Sequence, residues 1–150
     1  MEGFSPAADN NKGAILAVLA EWLPQQARLL EIGSGAGQHA IHMADELKHI
    51  DWQPSDRASV LPMLTNNVAA YGSANILTPI TLDLAEDTWP AETFHCAYSA
   101  NVMHIVSSEL GEKLIRGAAK ALAEDGLLAL YGPYKYAGDF TTPSNADFDL

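Results

Sequence analysis

Three glycines at alternate positions, Gly33, Gly35 and Gly37, follow a carboxylate, Glu31, by two residues in the run Leu29-Leu30-Glu31-Ile32-Gly33-Ser34-Gly35-Ala36-Gly37-Gln38-His39. Glycines so spaced let the backbone turn tightly and admit a ligand without side chains in the way. The apolar residues before them read as a buried strand, and the residues after them as a helix. That helix would aim its N-terminal amides and positive dipole end at whatever occupies the turn. Open α/β sheets bind nucleotide-like ligands at such a turn. Two more carboxylates fall where such a ligand would need them. Asp56 lies 21 positions after Gly35, at the end of a second strand, where a ribose diol is gripped. Asp83 ends a third strand, placed to accept an exocyclic amine from a base, with the Leu84 amide facing the ring.

The spacing also bears on which ligand fits. The dinucleotide fingerprint is G-x-G-x-x-G with pyrophosphate on the helix N-terminus, and here Gln38 takes the place of its third glycine. Glu31 suits a ligand carrying an ammonium and a sulfonium and suits a pyrophosphate poorly. The pattern E-x-G-x-G-x-G resembles the first motif of class I S-adenosylmethionine-dependent methyltransferases. A dinucleotide site and a purely structural turn are the competing readings of the same glycines.

These residues need elements to position them. Ser5-Pro6 reads as a helix-start pair. Ile15, Leu16, Val18, Leu19, Trp22 and Leu23 fall at helical spacing until Pro24 stops the run. The polar cluster Asp9-Asn10-Asn11-Lys12 is expected to cap this helix, or to reach over the ligand mouth. Arg28 to Ile32 is a first strand and Gln38 to Leu47 a first crossover helix. On it His39 and His42 stand three apart, with His49 beyond. No third ligand or cysteine pattern joins them, so they read as a solvated helix face and no metal site is expected. Ile50 to Pro54 is a second strand ending at Ser55-Asp56. Asp51, near its start, faces away from the ligand edge, and Gln53 is an alternative to Asp56.

Val60 to Tyr71 reads as a second crossover helix with Pro62 in its first turn and Gly72 as its stop. Ile76 to Leu84 is the third strand region, and Phe94 to Ser99 the fourth strand. Leu110, Leu114, Ile115, Ala118 and Leu122 form a helical core stripe that Asp125-Gly126 ends. Leu127 to Tyr131 is the fifth strand. Strands alternating with helices imply an α/β fold, Rossmann-like, with a mostly parallel sheet, helices on both faces and right-handed crossovers. Its ligand edge gathers Glu31, Gly33, Gly35, Asp56, Asp83 and Asn101.

The chain of 150 residues, nearly half of them apolar, suffices for one domain with a sizeable core. Its 19 acidic against 8 basic side chains give a net charge of −11, a field that repels phosphate backbones, so no nucleic-acid partner is expected. The single cysteine, Cys96, sits in an apolar strand and excludes an intramolecular disulfide. No apolar run approaches the ~18 residues of a membrane span, and no signal peptide is evident. No membrane association and a cytoplasmic location are the expectations.

Beyond the first motif, a closer resemblance spans nearly the whole chain. Ser5-Pro6-Ala7-Ala8 with Asn11-Lys12, the glycine turn, Trp52-Gln53-Pro54-Ser55-Asp56, Leu82-Asp83, Trp89-Pro90, Ser99-Ala100-Asn101-Val102-Met103-His104-Ile105 and Tyr131-Gly132-Pro133-Tyr134 resemble the methyltransferase-like 26 family. Two departures stand out. Asp9-Asn10 differs from the Glu-Arg pair of the family, and the chain ends at Asp149-Leu150, where family members continue with a helix and an antiparallel strand pair. The expected sheet therefore lacks its final strand pair and leaves the fifth strand at an open edge, which favours self-association into a homo-oligomer or partial disorder.

The resemblance implies S-adenosyl-L-methionine as cofactor. The residues expected to bind it are Glu31, Gly33, Ser34, Gly35, Gly37, Gln38, Asp56, Asp83, Leu84 and Asn101. Methyl transfer from a sulfonium needs in-line positioning, and a base only if the acceptor must lose a proton. Asn101 and His104 are the candidates nearest the methyl group, although His104 also suits a packed helix face. Tyr131, Tyr134 and Tyr136 line the acceptor side or pack at the sheet edge. Ser99-Ala100-Asn101-Val102 lacks the prolines found at this position in methyltransferases of nucleic-acid bases. A small-molecule acceptor is expected first and protein side chains second. The alternative function is a non-catalytic protein that binds S-adenosylmethionine or S-adenosylhomocysteine within a complex; a nicotinamide oxidoreductase is disfavoured by the missing third glycine.

Overall fold

A computed structural model of the chain describes residues 1–86, 89–100 and 108–131. Among the described residues are four helices, α1 (Pro6–Trp22), α2 (Gln38–Glu46), α3 (Leu61–Tyr71) and α4 (Ser108–Ala121), and five strands. The strands are β1 (Ala27–Ile32), β2 (Ile50–Asp56), β3 (Ile80–Thr81), β4 (Phe94–Ala100) and β5 (Leu122–Tyr131). All pair in parallel in the order β3-β2-β1-β4-β5. The strand order reverses at β1, which pairs with β2 on one side and β4 on the other, so a crevice opens beyond the C-terminal end of β1.

Strand side chains alternate between the two faces, and this sorts the core into two layers. Leu29, Trp52, Cys96 and Tyr98 join Ile15, Leu19, Ala40 and Met43 of α1 and α2 on one face. Leu30, Ile32 and Ala97 join Leu114 and Ala118 of α4 on the other, and Phe94 joins them from beyond the shift in β4–β5 pairing that lies between it and Cys96. Glu31 shares the parity of Leu29 and is only 3% exposed. A carboxylate in that layer must find hydrogen-bond partners there. Cys96 is fully buried, and burial pushes its thiol up to about 12, which leaves it unreactive.

Several expected boundaries shift for identifiable reasons. Ser5 caps α1, its hydroxyl accepting from the Ala8 amide at 3.3 Å with Pro6 following. The cluster from Asp9 to Lys12 therefore lies inside the helix and does not cap it. There Lys12 pairs with Asp9 one turn away. The third strand does not run from Ile76 to Leu84. It is the two residues of β3, preceded by an isolated bridge between Trp52 and Ile76. Pro54 within β2 has no N–H to give the ladder, and the Gln53 side chain beside it stands in, donating to the Thr78 carbonyl at 2.8 Å. Asp125-Gly126 does not end α4. The helix stops at Ala121, and β5 starts at once with a shift in its pairing to β4 between Phe94–Leu122 and Cys96–Leu127. Asp125, at φ 64, sits in that irregularity.

Candidate functional site

The turn after β1 takes its shape from its glycines and from β2 beneath it. Gly33, Gly35 and Gly37 have φ of 75, 58 and 89, the left-handed region that L side chains rarely adopt. The Gly33 and Ser34 amides both donate to the Ser55 carbonyl, at 3.1 and 2.8 Å. The Gly35 amide donates to Asp56 Oδ2 at 2.8 Å. The other carboxylate oxygen of Asp56 takes the Arg57 amide at 2.8 Å. Asp56, chosen for its distance from the turn, is thus bonded to the turn itself.

A Cβ at Gly35 would meet nothing within 4 Å, whereas one at Gly37 would stand 3.0 Å from Leu64 Cδ1. The first glycine therefore borders open space and the second is packed. Gly37 is the N-cap of α2 and provides no side-chain cap bond, so the first-turn amides of that helix are left for a ligand or water.

Beneath the turn, Glu31 Oε1 accepts from the Trp52 indole N–H at 3.0 Å and from the Ser34 hydroxyl at 2.8 Å. Ser34 Oγ in turn accepts from the Ser55 amide at 3.1 Å, and the Ser55 hydroxyl donates to the Glu31 carbonyl at 2.5 Å. Burial pushes the Glu31 carboxyl up to about 7. The two side-chain hydrogen bonds pull the other way, and the charge of Asp56 adds to the rise.

The other expected residues are placed as follows. Asp83 is half-buried and its Oδ1 accepts from the Ala85 amide at 2.9 Å. The Leu82 amide donates to the Asp56 carbonyl at 2.9 Å, so the β2 and β3 ends are joined there. Leu84 is buried in the α4-side core. Gln38 does not face the open side of the turn with a free amide, because both ends of that amide hold Ser5. Asn101, His104, Tyr134 and Tyr136 lie outside the described residues, and Tyr131 is half-buried at the end of β5.

His39 departs from the expectation of a solvated helix face. It is 7% exposed. Its Nε2–H lies 2.8 Å from Asn11 Oδ1 and 3.2 Å from the Ala8 carbonyl, and its Nδ1 accepts from the Tyr98 hydroxyl at 3.0 Å. Two acceptors at Nε2 assign the neutral Nε2–H tautomer, and burial lowers the pKa. His42 is half-buried and His49 exposed. Asn67 and Tyr98 carry no signal of type or spacing, and Trp52 and Ser55 enter the sequence reading only as members of a motif. What marks all four is polar atoms at inward-facing positions, where a partner is obligatory.

Residues 2–150 match the family described as protein of unknown function, DUF938. Among solved structures, the S-adenosylmethionine-dependent methyltransferase SibL in its apo form is similar at a TM-score of 0.75 and 21% identity, over 93% of this chain and 40% of that one. Coclaurine N-methyltransferase bound to N-methylheliamine and SAH gives 0.64 and 20%, over 87% and 38%. The CcbJ methyltransferase from Streptomyces caelestis gives 0.66 and 18%, over 86% and 52%. The fold is thus the Rossmann-like fold of class I methyltransferases, and the chain spans about half or less of the length of these structures. Among the described residues, no helix is long and apolar enough to cross a membrane.

Proposed function

The chain belongs to the DUF938 family, and from that premise we propose that it is an S-adenosylmethionine-dependent methyltransferase acting on a small-molecule acceptor. The observation that carries this reading is the glycine turn, open at Gly35, held from beneath by Glu31 through Ser34 and at its side by the Asp56 carboxylate. Open space over Gly35, with uncapped helix amides at one end and the Asp56 carboxylate beside it, suits a ligand that bears an anionic group and a diol. S-adenosylmethionine has a carboxylate for the α2 amides and a ribose diol for Asp56, while Glu31 acts from beneath by holding Ser34 of the turn. Asp83 and the Leu84 amide stand at the next strand end for the base. When bound, this cofactor supplies a methyl group already activated by its sulfonium.

What remains for the chain is to hold an acceptor in line and keep water out. Asn101 and His104 follow β4 in sequence and are our assignment for the acceptor side. A net charge of −11 supports a small acceptor over a nucleic acid. The motifs from Ser5-Pro6 to Tyr131-Gly132-Pro133-Tyr134 support the finer resemblance to the methyltransferase-like 26 family.

Thermal unfolding with S-adenosylmethionine, S-adenosylhomocysteine and NAD side by side tests the reading. A ligand at ~100 times its Kd adds about 2.7 kcal/mol to a two-state fold. Stabilisation by the first two and not by NAD is expected. Stabilisation by NAD alone, or by none of the three, overturns it.

A further inference from the structure

The segment before α1 lies against the glycine turn and α3, held by two side-chain amides. Gln38 Oε1 accepts from the Ser5 amide at 2.6 Å while its Nε2 donates to the Ser5 carbonyl at 3.1 Å. Asn67 of α3, 4% exposed, treats Glu2 the same way. Its Oδ1 accepts from the Glu2 amide at 3.3 Å and its Nδ2 donates to the Glu2 carbonyl at 2.8 Å. The same Nδ2 donates to the Ala36 carbonyl at 2.9 Å, so one nitrogen ties the segment to the turn. Between the clamps Gly3 passes at φ +73, where a Cβ would stand 2.6 Å from Met63 Sδ and 3.3 Å from Ala36 Cβ. Only glycine makes that passage without displacing a neighbour.

A turn with three glycines in five residues has little conformational preference of its own, and a ligand that orders it loses affinity by that cost. Clamps from outside remove the cost in advance. We propose that Gln38 and Asn67 are positioning residues for cofactor binding, fastening residues 2–5 against residues 36–38 so that the turn holds its binding shape before the ligand arrives. This rests on the methyltransferase reading and deepens it.

The test is S-adenosylhomocysteine binding by calorimetry to the wild type, Gln38→Met, Asn67→Leu and a chain lacking residues 1–4, with amide hydrogen exchange of residues 35–39. Asn75→Ala serves as a destabilised control. The Asn75 amide donates to the Ala44, Leu47 and Ile50 carbonyls, away from the turn. The expected result is a tenfold or larger rise in Kd for the three strap variants. Their turn amides exchange faster in the free protein and regain wild-type protection at saturating ligand, and the control changes neither. If Asn67→Leu fails to fold, the other two variants decide. Kd within twofold of wild type in the strap variants, or an equal rise in the control, overturns the proposal. A wild type that binds neither S-adenosylhomocysteine nor S-adenosylmethionine overturns the cofactor reading, and the strap proposal with it.

Discussion

Trp52 on β2 donates its indole N–H to Glu31 on β1 across the buried face of the sheet, at 3.0 Å. Leu29 is the register partner of Trp52, so the bond runs diagonally to the next residue of the same parity. A neutral donor of this kind satisfies the carboxyl oxygen without supplying a positive charge, and burial therefore dominates its ionisation.

That gives a pH dependence with a definite sign. The Glu31 pKa is raised from 4.5 to about 7 on folding, so the folded state holds its proton more tightly than the unfolded state. The associated stability is fully present below pH 4.5 and is lost as the pH rises to about 7, on the order of 3 kcal/mol in all. Glu31→Gln cannot lose it. Urea unfolding between pH 4.5 and 8 should show the ligand-free variant gaining on the wild type as pH rises. Parallel profiles would remove the buried, protonated Glu31 from the account.

Gly35 and Gly37 separate binding from stability. Gly35→Ala forces φ 58 on an L residue but meets no atom within 4 Å, so its stability cost is about 1–2 kcal/mol. Its methyl group then stands where we place the ligand. Gly37→Ala carries the same strain and adds a 3.0 Å contact with Leu64, away from the open side. Measured on folded protein, the Kd for S-adenosylhomocysteine should rise far more for Gly35→Ala, although Gly37→Ala has the lower melting temperature. The reverse order would misplace the ligand.

Much of this arrangement is legible in the sequence because local chemistry dictates it. Ser5-Pro6 is a helix-start pair, apolar strands alternating with helices declare a parallel sheet, and the spacing of Gly33, Gly35 and Gly37 admits few backbone paths. Other features depend on what the rest of the chain brings near. His39 looks like half of a surface pair until α1 covers it, and helical periodicity cannot say which face a later-packing element will hide. Pro54 of β2 offers the third strand no backbone N–H, and the Gln53 side chain that donates to Thr78 in its place is not something strand periodicity reveals. Asn67 is a polar residue among helix positions, and nothing local announces that the N-terminal segment folds back to it.

The pair His39–Tyr98 carries a pH dependence of opposite sign. Burial lowers the His39 pKa, so the unfolded chain takes up a proton first, and stability falls as the pH drops below the ordinary histidine value of 6.5. Tyr98→Phe leaves the buried Nδ1 without the hydroxyl that donates to it at 3.0 Å, at a cost of about 1–3 kcal/mol. Stability at pH 8 should drop by that amount. The double variant His39→Leu with Tyr98→Phe removes both partners and should recover part of it, with a flatter acid limb. If Tyr98→Phe is neutral at pH 8, the hydroxyl is satisfied elsewhere and the buried chain from Asn11 to Tyr98 is not cooperative.

Gly117 in α4 offers a test in which two rules disagree about direction. Replacing a helical glycine by alanine ordinarily stabilises by up to about 1 kcal/mol. Here a Cβ would fall 1.8 Å from Trp89 Cε2 and 2.1 Å from its Nε1, because the indole lies directly on the helix backbone. Trp89 packs against the α4-side core, and among the described residues its buried Nε1 has no hydrogen-bond partner, so shape alone holds it there. Steric overlap of that size is not relieved by a small rotation, and the ring must leave. Gly117→Ala should therefore destabilise by about 1–3 kcal/mol and shift the tryptophan emission to the red as the indole meets water. Gly117→Ala combined with Trp89→Leu should lose less than the sum of the two single changes, since the clash is then absent. An alanine variant with a raised urea midpoint and unchanged emission would mean that Trp89 does not rest on Gly117 in solution.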